Sequence, residues 1–209
     1  MRSLAFAIGL LAFALTADAD SLRPVDQAQS EPSFAAFRWR LLKGLEKKDT
    51  AVLFPLLDPG IRASFGAGDG VKTFRQYWKL DTAPATSGLW SELTTAIRLG
   101  STREEDEFVA PYVFTRFPKD RDAFTHAAVI KPAVKLRKLP KAGATIVGTL
   151  DYEVVQLLTP VKNGWYRVRT DAGKQGWLPQ ADVRSPLDYR AFFEKKNGRW
   201  FLTAFVKGD

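Results

Sequence analysis

From Phe124 to Val183 the chain offers only short β-prone runs cut by turns, and this limits its fold more tightly than any other feature. Val154-Val155-Gln156-Leu157-Leu158 and Trp165-Tyr166-Arg167-Val168-Arg169 are separated by Pro160 and by Asn163-Gly164, a strong two-residue turn signal, so they are expected to be neighbouring antiparallel strands. Trp177 follows Gly176 after a further turn at Asp171-Ala172-Gly173. Short strands with Gly and Pro turns and no helical period predict a small β-barrel over 124–184. Successive strand residues alternate in direction, so Tyr166 and Val168 are assigned to the core and Trp165, Arg167 and Arg169 to the outer face. Trp177 is expected near the same rim. A tryptophan flanked by two guanidinium groups can make cation-π contacts of roughly 0.5 to 1 kcal/mol.

The same stretch contains Val134-Lys135-Leu136-Arg137-Lys138-Leu139-Pro140, then Ala144 to Leu150, then Glu153 to Leu158, then Asn163-Gly164-Trp165-Tyr166-Arg167-Val168-Arg169, and finally Gly176-Trp177-Leu178. The order of "L-R-x-x-P", "GW-x-x-V" and "GW-[VLI]" resembles that of bacterial SH3 (SH3b) domains. The resemblance implies placement in the cell envelope and, for some members, recognition of peptidoglycan or of a protein peptide. The ligand-binding rim expected on it is Trp165, Arg167, Arg169 and Trp177, held from beneath by Tyr166 and Val168.

Met1-Arg2-Ser3 followed by the apolar run Leu4 to Leu15 has the charge and length of a signal peptide, with Ala17-Asp18-Ala19 as its cleavage site. Residues 1–19 are therefore expected to be removed, leaving an exported chain, periplasmic or secreted, that begins at Asp20. The apolar run is shorter than the ~20 residues that span a bilayer, and no later run is longer, so no stable membrane span is expected after cleavage. The chain has no cysteine, so packed apolar surface, including 15 Phe and 6 Trp, must supply its stability. Its formal net charge of +8 favours anionic partners such as cell-wall polymers, lipid headgroups or acidic proteins. Export and the dispersal of its cations argue against nucleic acid.

Outside the barrel the expected class is α+β. Residues 20–32 are polar and irregular and read as a flexible lead-in. A helix-rich α+β domain is expected over 33–123. Phe34, Phe37, Leu41, Leu42 and Leu45 share one face of a first helix. Asp49-Thr50 caps a short second one that Pro55 limits. Ile61 to Phe65 reads as a strand leading to a glycine-rich turn, with Asp69 capping a helix that aligns Val71, Phe74 and Trp78. That turn lacks a Gly-Lys-[Ser/Thr] ending and carries no phosphate-loop expectation. Ser87 opens a helix with Trp90, Leu93 and Ile97 on one face, ending near Gly100. Glu104-Glu105-Asp106-Glu107 lacks calcium-loop spacing and reads as a solvated turn. Phe108 to Phe114 reads as a buried edge strand because of Pro111. In 185–209, two apolar strands flank Asn197-Gly198, a hairpin signal. With the barrel complete, this hairpin is expected to pack back on the N-terminal region, a helix-first, hairpin-last order faintly similar to NTF2-like proteins.

Little of this carries chemistry. His126 is the only histidine and cysteine is absent, which removes Cys-His catalysis and histidine-rich zinc sites; no Gly-x-Ser-x-Gly elbow occurs. The expected function is non-enzymatic binding of a cell-wall polymer or an envelope protein, with no cofactor and no metal. Two alternatives remain. One is a small-molecule carrier with a pocket lined by Trp78, Trp90 and Trp200. The other is a cell-wall hydrolase, which needs two carboxylates about 5 to 10 Å apart in a cleft.

Overall fold

The computed structural model describes residues 21–66 and 68–208, and the expected signal peptide lies outside them. The fold is mixed α+β. Its helices are α1 (Pro32–Lys47), α2 (Thr50–Leu53), α3 (Val71–Tyr77), α4 (Leu89–Arg98) and α5 (Tyr112–Thr115). Its strands are β1 (Leu57–Arg62), β2 (Thr102–Glu104), β3 (Glu107–Ala110), β4 (His126–Val129), β5 (Val134–Arg137), β6 (Ile146–Leu150), β7 (Val154–Leu157), β8 (Trp165–Arg169), β9 (Gln175–Pro179), β10 (Val183–Arg184), β11 (Arg190–Lys196) and β12 (Arg199–Val206). Among the described residues no helix is long and apolar enough to cross a membrane.

The first sheet has the order β1-β12-β11-β3-β2, with β1 parallel to β12 and the other pairs antiparallel. Asn197 and Gly198 take positive φ (50° and 76°), the backbone that a tight hairpin turn between β11 and β12 requires. Helix α1 lays Phe34, Phe37, Leu41 and Leu45 onto this sheet, against Phe108, Phe193 and Trp200. It stops at Lys48, whose left-handed backbone turns the next N–H, that of Asp49, back to Gly44 O (2.9 Å), while the Lys48 N–H donates to Leu45 O (3.1 Å). The Asp49 carboxylate then accepts the N–H groups of Ala51 (2.8 Å) and Val52 (3.2 Å), starting α2, and Pro55 diverts the chain into a 3₁₀ turn.

Four expectations for this half need correction. Residues 21–31 are packed rather than flexible: Leu22 is buried, the Gln27 N–H donates to Ser101 O (2.7 Å), and the Asp26 carboxylate accepts from Arg38 and from the Ser101 N–H. The segment's few apolar residues are spent at a junction, and its polar ones satisfy the backbone entering β2. The strand expected at Ile61 starts earlier, at Leu57, and spans Pro59. Its pairing to β12 is recorded only at Leu57 and Arg62, so at this sheet edge proline costs little. Asp69 is not a helix cap; it forms a backbone bridge with Arg62, and Gly70 (φ 103°) occupies the cap position. The stretch Phe108 to Phe114 is not an edge strand either. β3 lies between β2 and β11, and from Tyr112 the chain turns helical.

The second sheet runs β10-β4-β7-β8-β9-β5-β6 and is not closed into a full barrel by hydrogen bonds. It is nevertheless strongly curled. A flat sheet of seven strands spaced about 4.8 Å apart would hold its edges far from each other. Here Val183 of β10 and Leu150 of β6 share one apolar cluster with Leu136, Val155, Val168 and Leu178. A third apolar cluster is made of Leu22, Tyr112, Val113, Ala128 and Val154. The Tyr112 hydroxyl donates to Leu22 O (3.1 Å), and burial pushes it up to about 12. The cluster thus joins the N-terminal segment and α5, which follows β3, to β4 and β7 of the second sheet.

Candidate functional site

The outer face of β8 and β9 is set by their turn and register. Asn163 (φ 50°) and Gly164 (φ 77°) make the tight turn, and Lys162 and Trp165 exchange backbone hydrogen bonds across it (2.9 and 3.0 Å). Val168 and Leu178 are fully buried, with Tyr166 half-buried against the same cluster. The alternate positions Trp165, Arg167 and Arg169 therefore project outward, and Arg167 stands directly opposite Trp177. The row extends further than the four rim residues: Trp177 pairs with Arg137 on β5, and Arg137 with Ile146 on β6. Arg167, Trp177, Arg137 and Ile146 thus lie abreast across four strands.

Sequence reasoning missed Arg137 and Ile146, since a cross-strand neighbour is set by register and not by spacing. Arg137 donates to Ala144 O (3.0 Å), which steadies its guanidinium, and Arg167 reaches Gln175 Oε1 (3.4 Å). Neither Arg167 nor Arg169 has a salt bridge among the described residues. The expected cation-π contact does not form at Trp165; the arginine–ring contacts lie elsewhere, as between Arg75 and Phe54 (4.5 Å) and Arg190 and Phe114 (4.6 Å). Gly176 makes this geometry possible. A Cβ there would sit 2.6 Å from Leu136 Cγ and 2.8 Å from Arg137 O, so β9 can lie against β5 only without a side chain.

The residue-level geometry and the family comparison agree. Residues 131–185 match the family model described as "Bacterial SH3 domain". This part of the chain is a bacterial SH3 domain. The match covers roughly a quarter of the chain, and no curated protein and no solved structure matches it. Within the SH3 domain, the "GW" of Gly176-Trp177 is the packing glycine and rim tryptophan just described. The "GW" of Gly164-Trp165 is the turn glycine and its outward neighbour.

His126 lies at the start of β4 with Nδ1 3.0 Å from Thr125 Oγ1 and 3.2 Å from Asp122 O, tied into the turn that precedes the SH3 domain. Trp78, Trp90 and Trp200 do not line one pocket together: a cavity between α1 and the terminal hairpin has Phe37, Trp39, Arg199 and Trp200 in its wall but neither Trp78 nor Trp90. Trp78, Trp90 and Trp200 are buried at separate points of the first core, Trp78 stacked on Phe205, Trp90 donating to Pro84 O and Trp200 to Ser33 Oγ.

A cavity of about 400 Å³ does exist on the first sheet, on the face away from α1, with Asp58, Glu107, Phe192, Glu194 and Lys196 in its wall. Lys196 bridges Asp58 (2.8 Å) and Glu194 (3.6 Å). Glu107 stands directly opposite Glu194 on β11 and opposite Glu104 on β2. Burial first, then the neighbouring carboxylates, raises the Glu107 carboxyl above its ordinary value. A carboxyl raised in the folded state binds its proton more tightly there than in the unfolded chain. Stability therefore falls as pH rises from the ordinary value through the folded one, and the loss is complete above it. Glu107→Gln is expected to raise Tm by roughly 1–2 °C near pH 7 and to leave it unchanged near pH 3. Equal shifts at both pH values in a thermal melt would contradict this origin. Among the described residues no three His, Cys, Asp or Glu side chains, those of the adjoining Glu104 to Asp106 turn included, come together in a cluster that could hold a metal ion.

Proposed function

We propose that this is an exported, non-enzymatic protein of the bacterial envelope, periplasmic in placement, whose SH3 domain binds peptidoglycan through its outer face, with an envelope protein as the other candidate ligand. One observation carries the reading. Trp165 and Trp177 share an outward face with Arg167 and Arg169, whose charges have no carboxylate partner among the described residues. Flat indole rings give large contact area to sugar rings at low entropic cost, and guanidinium groups pair with the carboxylates of the polymer. Export rests on the charge and apolar pattern of residues 1–19. The non-enzymatic reading rests on a single histidine tied into a turn and the absence of cysteine. The domain reading is of an inserted module: 124–184 interrupts a first domain built from 33–123 and 185–209. Pairing of β12 with β1 and of β11 with β3 supports it.

The test is co-sedimentation with purified peptidoglycan sacculi. The wild type is expected to sediment at low salt, and Arg167→Ala with Arg169→Ala to weaken binding by about tenfold or more. Failure of the wild type to sediment would remove peptidoglycan as the ligand. Export predicts that protein recovered from the periplasm begins at Asp20 on N-terminal sequencing.

A second reading, glycoside hydrolysis, draws on the cavity of the first sheet. Glu107, whose carboxyl is raised by burial and by its acidic neighbours, faces Glu194 there, and such chemistry needs two carboxyl groups flanking one bond. Under that reading the wild type releases soluble sugar fragments from sacculi and Glu107→Gln does not.

A further inference from the structure

We propose that the tip of the β5–β6 hairpin docks an acidic segment of a partner protein that carries large apolar side chains. This surface adjoins the Arg167–Trp177 face and shares Ile146 with the end of its row, but it is built on other cations, Lys138 and Lys141. Three large apolar side chains stand in solvent at the tip: Leu139 (51% exposed), Ile146 (50%) and Val147 (37%). The register explains two of them. Leu136 pairs with Gly148 but Arg137 with Ile146, so Val147 is an extra residue in β6, and this bulge leaves Ile146 and Val147 both opposite Arg137. β6 is also the last strand of its sheet, with no neighbour beyond it.

The charge around the tip selects the occupant. From Ala123 to Leu150 the sequence contains no Asp or Glu. Lys138 and Lys141 lie in the hairpin loop, and the stem of Lys174 lies beside Gly148. None of these lysines has a salt bridge among the described residues, whereas Lys131, nearer the start of the same stretch, is paired to Asp182 (2.6 Å). An apolar patch bordered by cations that form no salt bridge fits apolar anchors flanked by carboxylates. A second copy of this chain fits poorly. Its net charge of +8 repels, and the bulge interrupts the regular edge that strand-to-strand pairing would need.

The test uses the full mature protein and a fluorescein-labelled synthetic peptide of alternating glutamate and leucine, with a lysine–leucine peptide as control. Saturable, salt-sensitive binding of the acidic peptide is expected. Lys138→Glu with Lys141→Glu, and separately Leu139→Ser with Ile146→Ser, should each weaken it by about tenfold. Arg167→Ala with Arg169→Ala should leave it within about twofold, which separates this site from the sacculus-binding face. All substituted side chains are exposed, so each variant is expected to keep the wild-type circular dichroism spectrum. The proposal is overturned if the acidic peptide does not bind, if the lysine peptide binds equally well, or if only the Arg167/Arg169 variant loses binding. Self-association of the free protein that Ile146→Ser abolishes would overturn it as well.

Discussion

Phe34→Ala is expected to destabilise the protein by about 3–5 kcal/mol, read as a lowered urea midpoint at unchanged slope. Phe34 has no exposed surface. Its ring stacks on Phe108 at 3.9 Å between centroids and meets Trp200 at 5.1 Å and Phe193 at 5.4 Å. These partners come from β3, β12 and β11, so one side chain on α1 holds the helix to three strands of the sheet. Alanine loses the ring's burial and leaves a void among rigid aromatic neighbours that cannot collapse into it. Because a domain's whole stability is about 5–15 kcal/mol, the variant should sit near the limit of folding. A loss below about 1 kcal/mol would mean that α1 is not anchored as described.

Gly176→Ala is expected to cost about 2–3 kcal/mol and to weaken ligand binding by the SH3 domain. The added methyl would meet Leu136 and the Arg137 carbonyl oxygen; the side chain could rotate away, but the backbone oxygen could move only by displacing β5. That displacement separates Trp177 from Arg137, the pair at the centre of the outer face. Gly143→Ala provides the contrast. Nothing lies within 4 Å of its Cβ position and its backbone is not left-handed, so its effect should stay within about 0.5 kcal/mol of zero. Urea unfolding of the two variants side by side distinguishes a packing clash from a general intolerance of alanine in this domain.

What the sequence revealed of this fold was local. Asn163-Gly164 and Asn197-Gly198 announced their turns, Asp49 its cap, and the Phe34-to-Leu45 spacing its buried face, because each depends on residues within a turn or two of one another. What it concealed was non-local. β1 begins at Leu57 because that residue lies beside Leu202, and β3 is interior because β11 returns to pair with it. The lead-in is ordered because Ser101 and Leu22 find partners far along the chain. The candidate site divides in the same way. Alternation along β8 placed Trp165, Arg167 and Arg169 on one face, but Arg137 and Ile146 joined them only through cross-strand register and a bulge. The facing pair Glu107 and Glu194 likewise has no signature in spacing.

The central claim, that the SH3 domain's outer face is the peptidoglycan-binding surface, is most directly tested by following the six tryptophan indole N–H signals by NMR while soluble peptidoglycan fragments are added. Assignment by single Trp→Phe substitutions identifies each signal. The account predicts that Trp165 and Trp177 shift with a common saturation curve, while Trp78, Trp90 and Trp200, buried in the first core, stay in place. Shifts confined to tryptophans outside the SH3 domain, or no shift at Trp165 and Trp177 under saturating fragment, would contradict it.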